Sequence, residues 1–120
     1  MHELAICRAL IDQVETIVRD RRAQRVVSIV VRIGPLAGVE PELLRRAYPL
    51  ASAGTLAADA TLVLEQSSVR VRCMECGAES EVESNRLVCS ACGQWRTKVL
   101  TGEELLLMSV ELQKEIPDHV

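Results

Sequence analysis

Four of the five cysteines lie in two copies of one short motif. The motif C-x2-C-G occurs at residues 73–77 and again at residues 89–93. A C-x2-C turn brings two thiolates to one face of a tight loop, and the following glycine permits the positive φ that such a turn needs. We call each C-x2-C-G turn a knuckle. Two knuckles that face each other supply the four sulfur ligands of a closed tetrahedral metal site, with no position left for a catalytic water. The pattern therefore predicts a structural zinc site, although iron accepts the same ligands. The predicted ligands are Cys73, Cys76, Cys89 and Cys92.

Two other uses of these cysteines fit the sequence less well. Thioredoxin-like redox chemistry places C-x-x-C where a strand runs into a helix, and neither knuckle has that setting. A disulfide scheme would leave one of the five thiols over. Six charged side chains lie within residues 1–20, which therefore contain no signal-peptide apolar region, so we expect a cytoplasmic protein, whose thiols stay reduced.

Zinc ribbons often bind nucleic acid, so nucleic-acid binding is a second possible function for this chain. Residues 70–98 hold five basic and four acidic side chains, and the whole chain has 14 Lys and Arg against 17 Asp and Glu. This balance lacks the basic stripe of a phosphate-binding surface. Trp95 is the only tryptophan, so it is either a lone stacking platform or, as we expect, a cover for the knuckle. A zinc-ribbon adaptor for protein or nucleic acid remains the alternative function.

The first three residues, Met1, His2 and Glu3, form a second group of potential metal ligands. A free amine, the His2 backbone nitrogen and the imidazole Nδ1 can close fused chelate rings around one ion, and Glu3 can complete a square. Square-planar nitrogen coordination selects Ni(II) or Cu(II) over Zn(II). The competing interpretation is that His2 and Glu3 are solvated residues at a helix start, where a carboxylate suits the helix dipole.

Periodicity predicts the elements that position these ligands. We expect helices over residues 3–22 and 41–51, the second beginning at Pro41, kinked or split at Pro49, and followed by Gly54 at its C′ position. Strands are predicted at residues 25–33, 61–66, 69–72 and 104–112. The main domain then comprises residues 1–69 and 99–120, and residues 70–98 form an inserted zinc-binding domain.

The remaining chemistry-bearing residues are few. Cys7 falls on the apolar stripe of the first helix and is predicted to be a core residue, because free cysteine is among the most buried residue types. His2 and His119 are the only histidines, and no nucleophile–base constellation is visible, so we predict that the protein is not an enzyme. No apolar run reaches the length of a membrane span.

Three segments together resemble the HypA/HybF family of hydrogenase nickel-incorporation proteins. They are the initial Met-His-Glu-Leu, the loop and helix start at residues 33–42, and the doubled cysteine knuckle. The similarity extends over nearly the whole chain, in the right order and spacing. One departure is Ser90, where the family more usually has proline after the cysteine.

The resemblance implies a nickel metallochaperone of α+β fold, with two helices on a small three-stranded sheet and an inserted zinc-ribbon-like domain. It implies transient Ni(II) cargo at His2, Glu3 and the Met1 amine, and structural Zn(II) at the four knuckle cysteines. The implied partners are a nickel-handling GTPase of the HypB type and the large-subunit precursor of [NiFe]-hydrogenase, with urease as a further client in some members. No nucleic-acid partner is implied.

Overall fold

The computed structural model describes residues 2–114; Met1 and residues 115–120, including His119, lie outside the described residues. Two helices and six strands follow one another within residues 2–114, and these strands form two three-stranded sheets of order β2-β1-β6 and β4-β3-β5. This confirms the predicted α+β architecture. No helix in this part of the chain is long and apolar enough to cross a membrane. The elements are α1 (His2–Arg21), β1 (Ala23–Ile33), α2 (Pro41–Ser52), β2 (Thr61–Gln66), β3 (Val69–Cys73), β4 (Glu79–Val82), β5 (Thr97–Thr101) and β6 (Leu105–Lys114).

Helix α1 buries the apolar stripe that its sequence predicts. Five side chains at spacings of three and four are buried, and the charged residues between them are mostly exposed. The helix ends where Arg22 adopts a φ of +53°, a conformation that breaks the helical hydrogen-bond pattern. The buried residues are Leu4, Cys7, Ile11, Val14 and Val18.

Cys7 is only 1% exposed, and its Sγ lies 3.4 Å from the carbonyl oxygen of Leu44 on α2. The core interpretation of this thiol therefore agrees with the structure. Burial raises the pKa of Cys7, and the nearby Glu3 carboxylate adds to the effect.

We expect Cys7 to be the slowest of the five thiols to react. The thiolate is the reactive species. Burial keeps the reagent away from Cys7, and its raised pKa lowers the fraction of thiolate. After metal removal, Ellman's reagent should titrate four thiols quickly and the fifth only as the helices open. Cys7→Ala should leave the four fast thiols unchanged and remove the slow phase. Five thiols reacting in one phase would contradict the buried assignment.

Helix α2 begins with a well-formed cap. Glu40 is the N-cap residue, and its carboxylate accepts a hydrogen bond from the backbone N–H of Glu42, while Pro41 occupies the first turn. The helix is not split at Pro49, contrary to one of the two predicted outcomes there. Only three residues follow Pro49 before the helix ends, so few hydrogen bonds depend on continuing past it. Gly54, with φ +76°, follows the C-cap residue at the predicted C′ position.

The second sheet contains two strands that apolar periodicity did not predict. Strand β3 pairs antiparallel with β4 on one side and with β5 on the other. One face of this sheet is charged, and there a guanidinium nitrogen of Arg72 lies 3.1 Å from a carboxylate oxygen of Glu79. The side chains of Val69, Val71 and Cys73 are buried. β4 and β5 carry mainly polar residues, so their sequences lack the alternation that marks a half-buried strand.

The chain divides into two compact units. The first comprises residues 2–31, 40–64 and 107–114 of the described chain, and the second comprises residues 32–39 and 65–106. The stretch 70–98 falls wholly within the second unit. The domain boundaries proposed from the sequence remain a prediction.

Within the second unit, the turn after β1 packs directly against the turn before β6. Gly34 donates its N–H to the carbonyl of Glu104 at 2.7 Å, and Leu36 donates to the carbonyl of Gly102 at 2.7 Å. A Cβ on Gly34 would lie 2.1 Å from the Gly102 carbonyl oxygen. Neither backbone can move aside without breaking these two hydrogen bonds.

We therefore expect Gly34→Ala to lower the free energy of unfolding by about 3 kcal/mol or more, as overpacking against backbone does. Gly38→Ala is the matched control. Gly38 has φ +76° and open space around its Cβ position, so only the backbone conformation opposes the change, at about 1 kcal/mol. Urea denaturation of both variants measures the difference. Equal losses would contradict the close Gly34–Gly102 approach.

Candidate metal centres

The four knuckle cysteines meet at one point in the second unit. Their Sγ atoms all lie within 4.8 Å of one another. The pairs Cys73–Cys92 and Cys76–Cys89 each have an Sγ–Sγ distance of 3.6 Å. A tetrahedral ion with bonds of 2.3 Å to sulfur needs sulfur–sulfur distances of about 3.8 Å. The cluster therefore fits a four-sulfur metal ion and the zinc-ribbon fold.

Both knuckles build their half of the cluster with the same backbone hydrogen bonds. Cys73 Sγ accepts the N–H groups of Glu75 and Cys76, each at 3.4 Å. Cys89 Sγ accepts those of Ala91 and Cys92, at 3.3 and 3.4 Å. Donors aimed at a sulfur stabilise its thiolate form, which is the form that binds metal.

The two glycines that complete the motifs adopt the conformation expected of them. Gly77 and Gly93 have φ values of +77° and +78°. Each donates its N–H to the carbonyl of the first cysteine of its knuckle, at 3.0 Å for Gly77 and 2.8 Å for Gly93. This reversal of the chain turns the second cysteine of each knuckle back toward the first.

The four thiols of the cluster differ in pKa. The Cys92 N–H lowers the pKa of Cys89 to about 6, and the Cys76 N–H likewise lowers the pKa of Cys73. At Cys92 the N–H of Gln94 favours the thiolate, but burial and the neighbouring sulfurs outweigh it and raise the pKa to about 12. Four thiolates cannot coexist at this distance without a cation, so the cluster favours a bound dication.

Trp95 does not cover the knuckle, contrary to our expectation. Its side chain is 72% exposed, and the Arg96 guanidinium carbon lies 5.6 Å from the centre of its ring. Arg96 also pairs with Glu75 at 3.5 Å. The knuckle is closed by backbone hydrogen bonds instead, including one of 2.8 Å from the Met74 N–H to the Arg96 carbonyl.

Ser90, the position where proline was expected, makes a contact that proline cannot make. Its backbone N–H donates to Ser80 Oγ at 3.4 Å. This bond ties the second knuckle to strand β4.

The other predicted ligand group lies at the start of α1 in the first unit. His2 is the first helical residue and is exposed, whereas Glu3 is partly buried. A Glu3 carboxylate oxygen accepts the backbone N–H of Glu40 at 3.5 Å. The contact joins residues 37 positions apart, so the spacing of residues could not have indicated it. Met1, the third predicted ligand, lies outside the described residues.

Comparison with known proteins assigns the chain to a family. A family model described as "Hydrogenase/urease nickel incorporation, metallochaperone, hypA" matches residues 1–112. The chain belongs to the HypA family. The hydrogenase maturation factor HypA of Nitrosospira multiformis is 54% identical over 112 residues, which cover 93% of this chain and 97% of that protein. The HypA of Aquifex aeolicus is 39% identical, covering 94% and 98% respectively. The resemblance inferred from sequence is thereby confirmed.

Solved structures of HypA share this fold. The solution structure of the Ni metallochaperone HypA from Helicobacter pylori matches with a TM-score of 0.70 at 23% identity, covering 94% of this chain and 98% of that one. A second HypA solution structure matches with a TM-score of 0.74 at 24% identity, covering 96% and 98%. The HypA family consists of metallochaperones that incorporate nickel during hydrogenase maturation. This chain matches the family in sequence and in fold.

Proposed function

We propose that this HypA protein carries Ni(II) at its N-terminus and delivers it to the large-subunit precursor of [NiFe]-hydrogenase. The observation that carries the proposal is the exposed His2 at the first position of α1, next to Glu3, in a chain whose family match includes these residues. The proposed donors are the Met1 amine, the His2 backbone nitrogen and imidazole, and Glu3.

The proposed ligands suit a carrier rather than a permanent site. Nitrogen donors in a square select Ni(II) or Cu(II) over Zn(II), whereas four sulfur ligands suit zinc or iron. An exposed imidazole can reach an acceptor protein, and proton competition at the amine and imidazole gives a means of release. The partly buried Glu3, held by the Glu40 N–H, supports the His2 side of the site without enclosing the ion.

The four cysteines, in this proposal, hold Zn(II) for structure. All four ligands come from the chain, so a bound zinc has no open position for catalysis. A bound zinc would cross-link the two knuckles and neutralise the charge of their thiolates. The protein is accordingly proposed to be a non-enzymatic carrier in the cytoplasm.

A carrier of this size needs partners for the energy-requiring step. The sequence holds no glycine-rich phosphate-binding motif. We therefore assign nucleotide hydrolysis to a nickel-handling GTPase of the HypB type and receipt of nickel to the hydrogenase large-subunit precursor. The family description also names urease, which makes a urease the further client to test.

A complementation experiment tests the proposal. In hydrogenase-producing cells without this protein, the large-subunit precursor should accumulate with little nickel. The wild-type chain should restore its nickel content at least tenfold, whereas His2→Ala, expressed to the same level, should not. Exposed Arg46→Ala is the matched control. Full restoration by His2→Ala would reject the N-terminal carrier and favour the zinc-ribbon adaptor.

A further inference from the structure

Among the described residues, strand β6 has an unpaired edge, which lies beside helix α1. In the first sheet β6 is the outer strand, with β1 as its neighbour among the described residues. The strand runs for ten residues, from Leu105 to Lys114, and none of its side chains is buried. A long apolar strand with a free edge presents unpaired N–H and C=O groups to another chain.

A groove of about 420 Å³ follows this edge within the first unit. Ile17 and Arg21 of α1 form one wall, and β6 forms the other. Side chains of successive strand residues point to opposite faces, so a groove lined by both alternating sets lies along the backbone edge. The β6 lining residues are Leu107, Met108, Ser109, Val110, Leu112 and Lys114.

Two cations line the groove. Arg21 and Lys114 are exposed, and within residues 2–114 neither forms an ion pair. The segment 19–25 beside it carries four arginines and one aspartate, in a chain whose net charge is −3. Cations that line an apolar strip favour an occupant that combines carboxylates with apolar side chains.

We propose that the β6 groove binds an extended segment of a partner protein in which acidic and apolar residues alternate, added to the sheet as a fourth strand. Main-chain hydrogen bonds to the β6 edge would give the affinity. Apolar side chains would pack against Ile17, Leu107 and Val110, and carboxylates would meet Arg21 and Lys114.

This surface is separate from the proposed nickel ligands. Arg21 lies 19 residues after His2 on α1, about 28 Å along a helix that rises 1.5 Å per residue. Nickel binding and peptide binding can therefore be measured independently, and failure of one leaves the other testable.

The probe is a capped, fluorescein-labelled heptapeptide that alternates glutamate and valine, titrated with the full chain. We expect fluorescence polarisation to show binding that weakens as salt is raised, and hydrogen exchange to slow in β6. Arg21→Glu with Lys114→Glu should lower affinity at least tenfold. Arg8→Glu with Arg46→Glu makes the same change in net charge on exposed residues outside the groove, and should alter affinity less than twofold.

A second peptide separates strand addition from charge attraction. N-methylation of alternate amides keeps every side chain but removes the donors that would pair with β6, and should abolish binding. Equal binding of both peptides, or equal binding by both double variants, would overturn the proposal. A tenfold gain in affinity on deleting residues 115–120 would assign the groove to the chain's own end. A dimer that dissociates on Lys114→Glu would assign it to a second copy, and either result would also overturn the proposal.

Discussion

His2→Ala should lose nickel binding while keeping zinc and the fold. The imidazole is the strongest side-chain donor proposed for nickel, and removing even an outer-shell partner of a metal typically lowers affinity by about 10- to 100-fold. We therefore expect loss of a direct ligand to exceed about 100-fold. His2 is exposed at the start of α1, so the thermal midpoint should not change.

Isothermal titration with Ni(II), together with metal analysis for zinc, measures both effects. Exposed Arg8→Ala on the same helix is the matched control and should bind nickel as the wild type does. Acid should release nickel, because a protonated imidazole or amine cannot donate an electron pair to the ion. Nickel affinity that does not fall as the pH is lowered would contradict imidazole ligation.

The second large effect is expected at the cysteine cluster. Cys76→Ala with Cys92→Ala removes one ligand from each knuckle, and two thiolates do not hold zinc in a closed site. Few apolar side chains other than Val69 and Val71 are buried around it, so the metal must supply much of its stability. Structural zinc binding contributes about 10–16 kcal/mol in small zinc-finger peptides.

We expect this double variant to contain less than a tenth of the wild-type zinc. Hydrogen exchange should speed up across residues 73–98, whereas α1 and β1 should keep their protection. Cys7→Ala is the control, since it removes a cysteine outside the cluster and should retain full zinc content. Retained zinc and retained protection in the double variant would show that the cluster is not a structural metal site.

Local patterns predicted the parts of this protein in which neighbours along the chain decide the conformation. The α1 stripe, the C′ role of Gly54 and the positive φ of Gly77 and Gly93 all follow from spacing and residue type. The cysteine cluster follows for the same reason, because each knuckle prepares half of it. Pro49 shows the limit, since whether a proline splits a helix depends on how much helix must follow it.

Contacts between distant segments were not predictable. The Glu3–Glu40 hydrogen bond and the close approach of Gly34 to Gly102 depend on how the chain folds back, not on local spacing. β4 and β5 were missed because their residues pair by charge and backbone, as Arg72 and Glu79 do. The exposure of Trp95 was missed because a large aromatic residue is ordinarily expected to be buried.

If the N-terminus itself holds nickel, a change confined to that end should remove nickel binding. Untagged protein beginning at Met1 and the same chain with one glycine added before Met1 are each loaded with Ni(II) and passed through a desalting column. The bound nickel and zinc are then counted. We predict one nickel per untagged chain, less than a tenth of that in the extended chain, and equal zinc in both. Equal nickel in the two proteins would contradict this prediction.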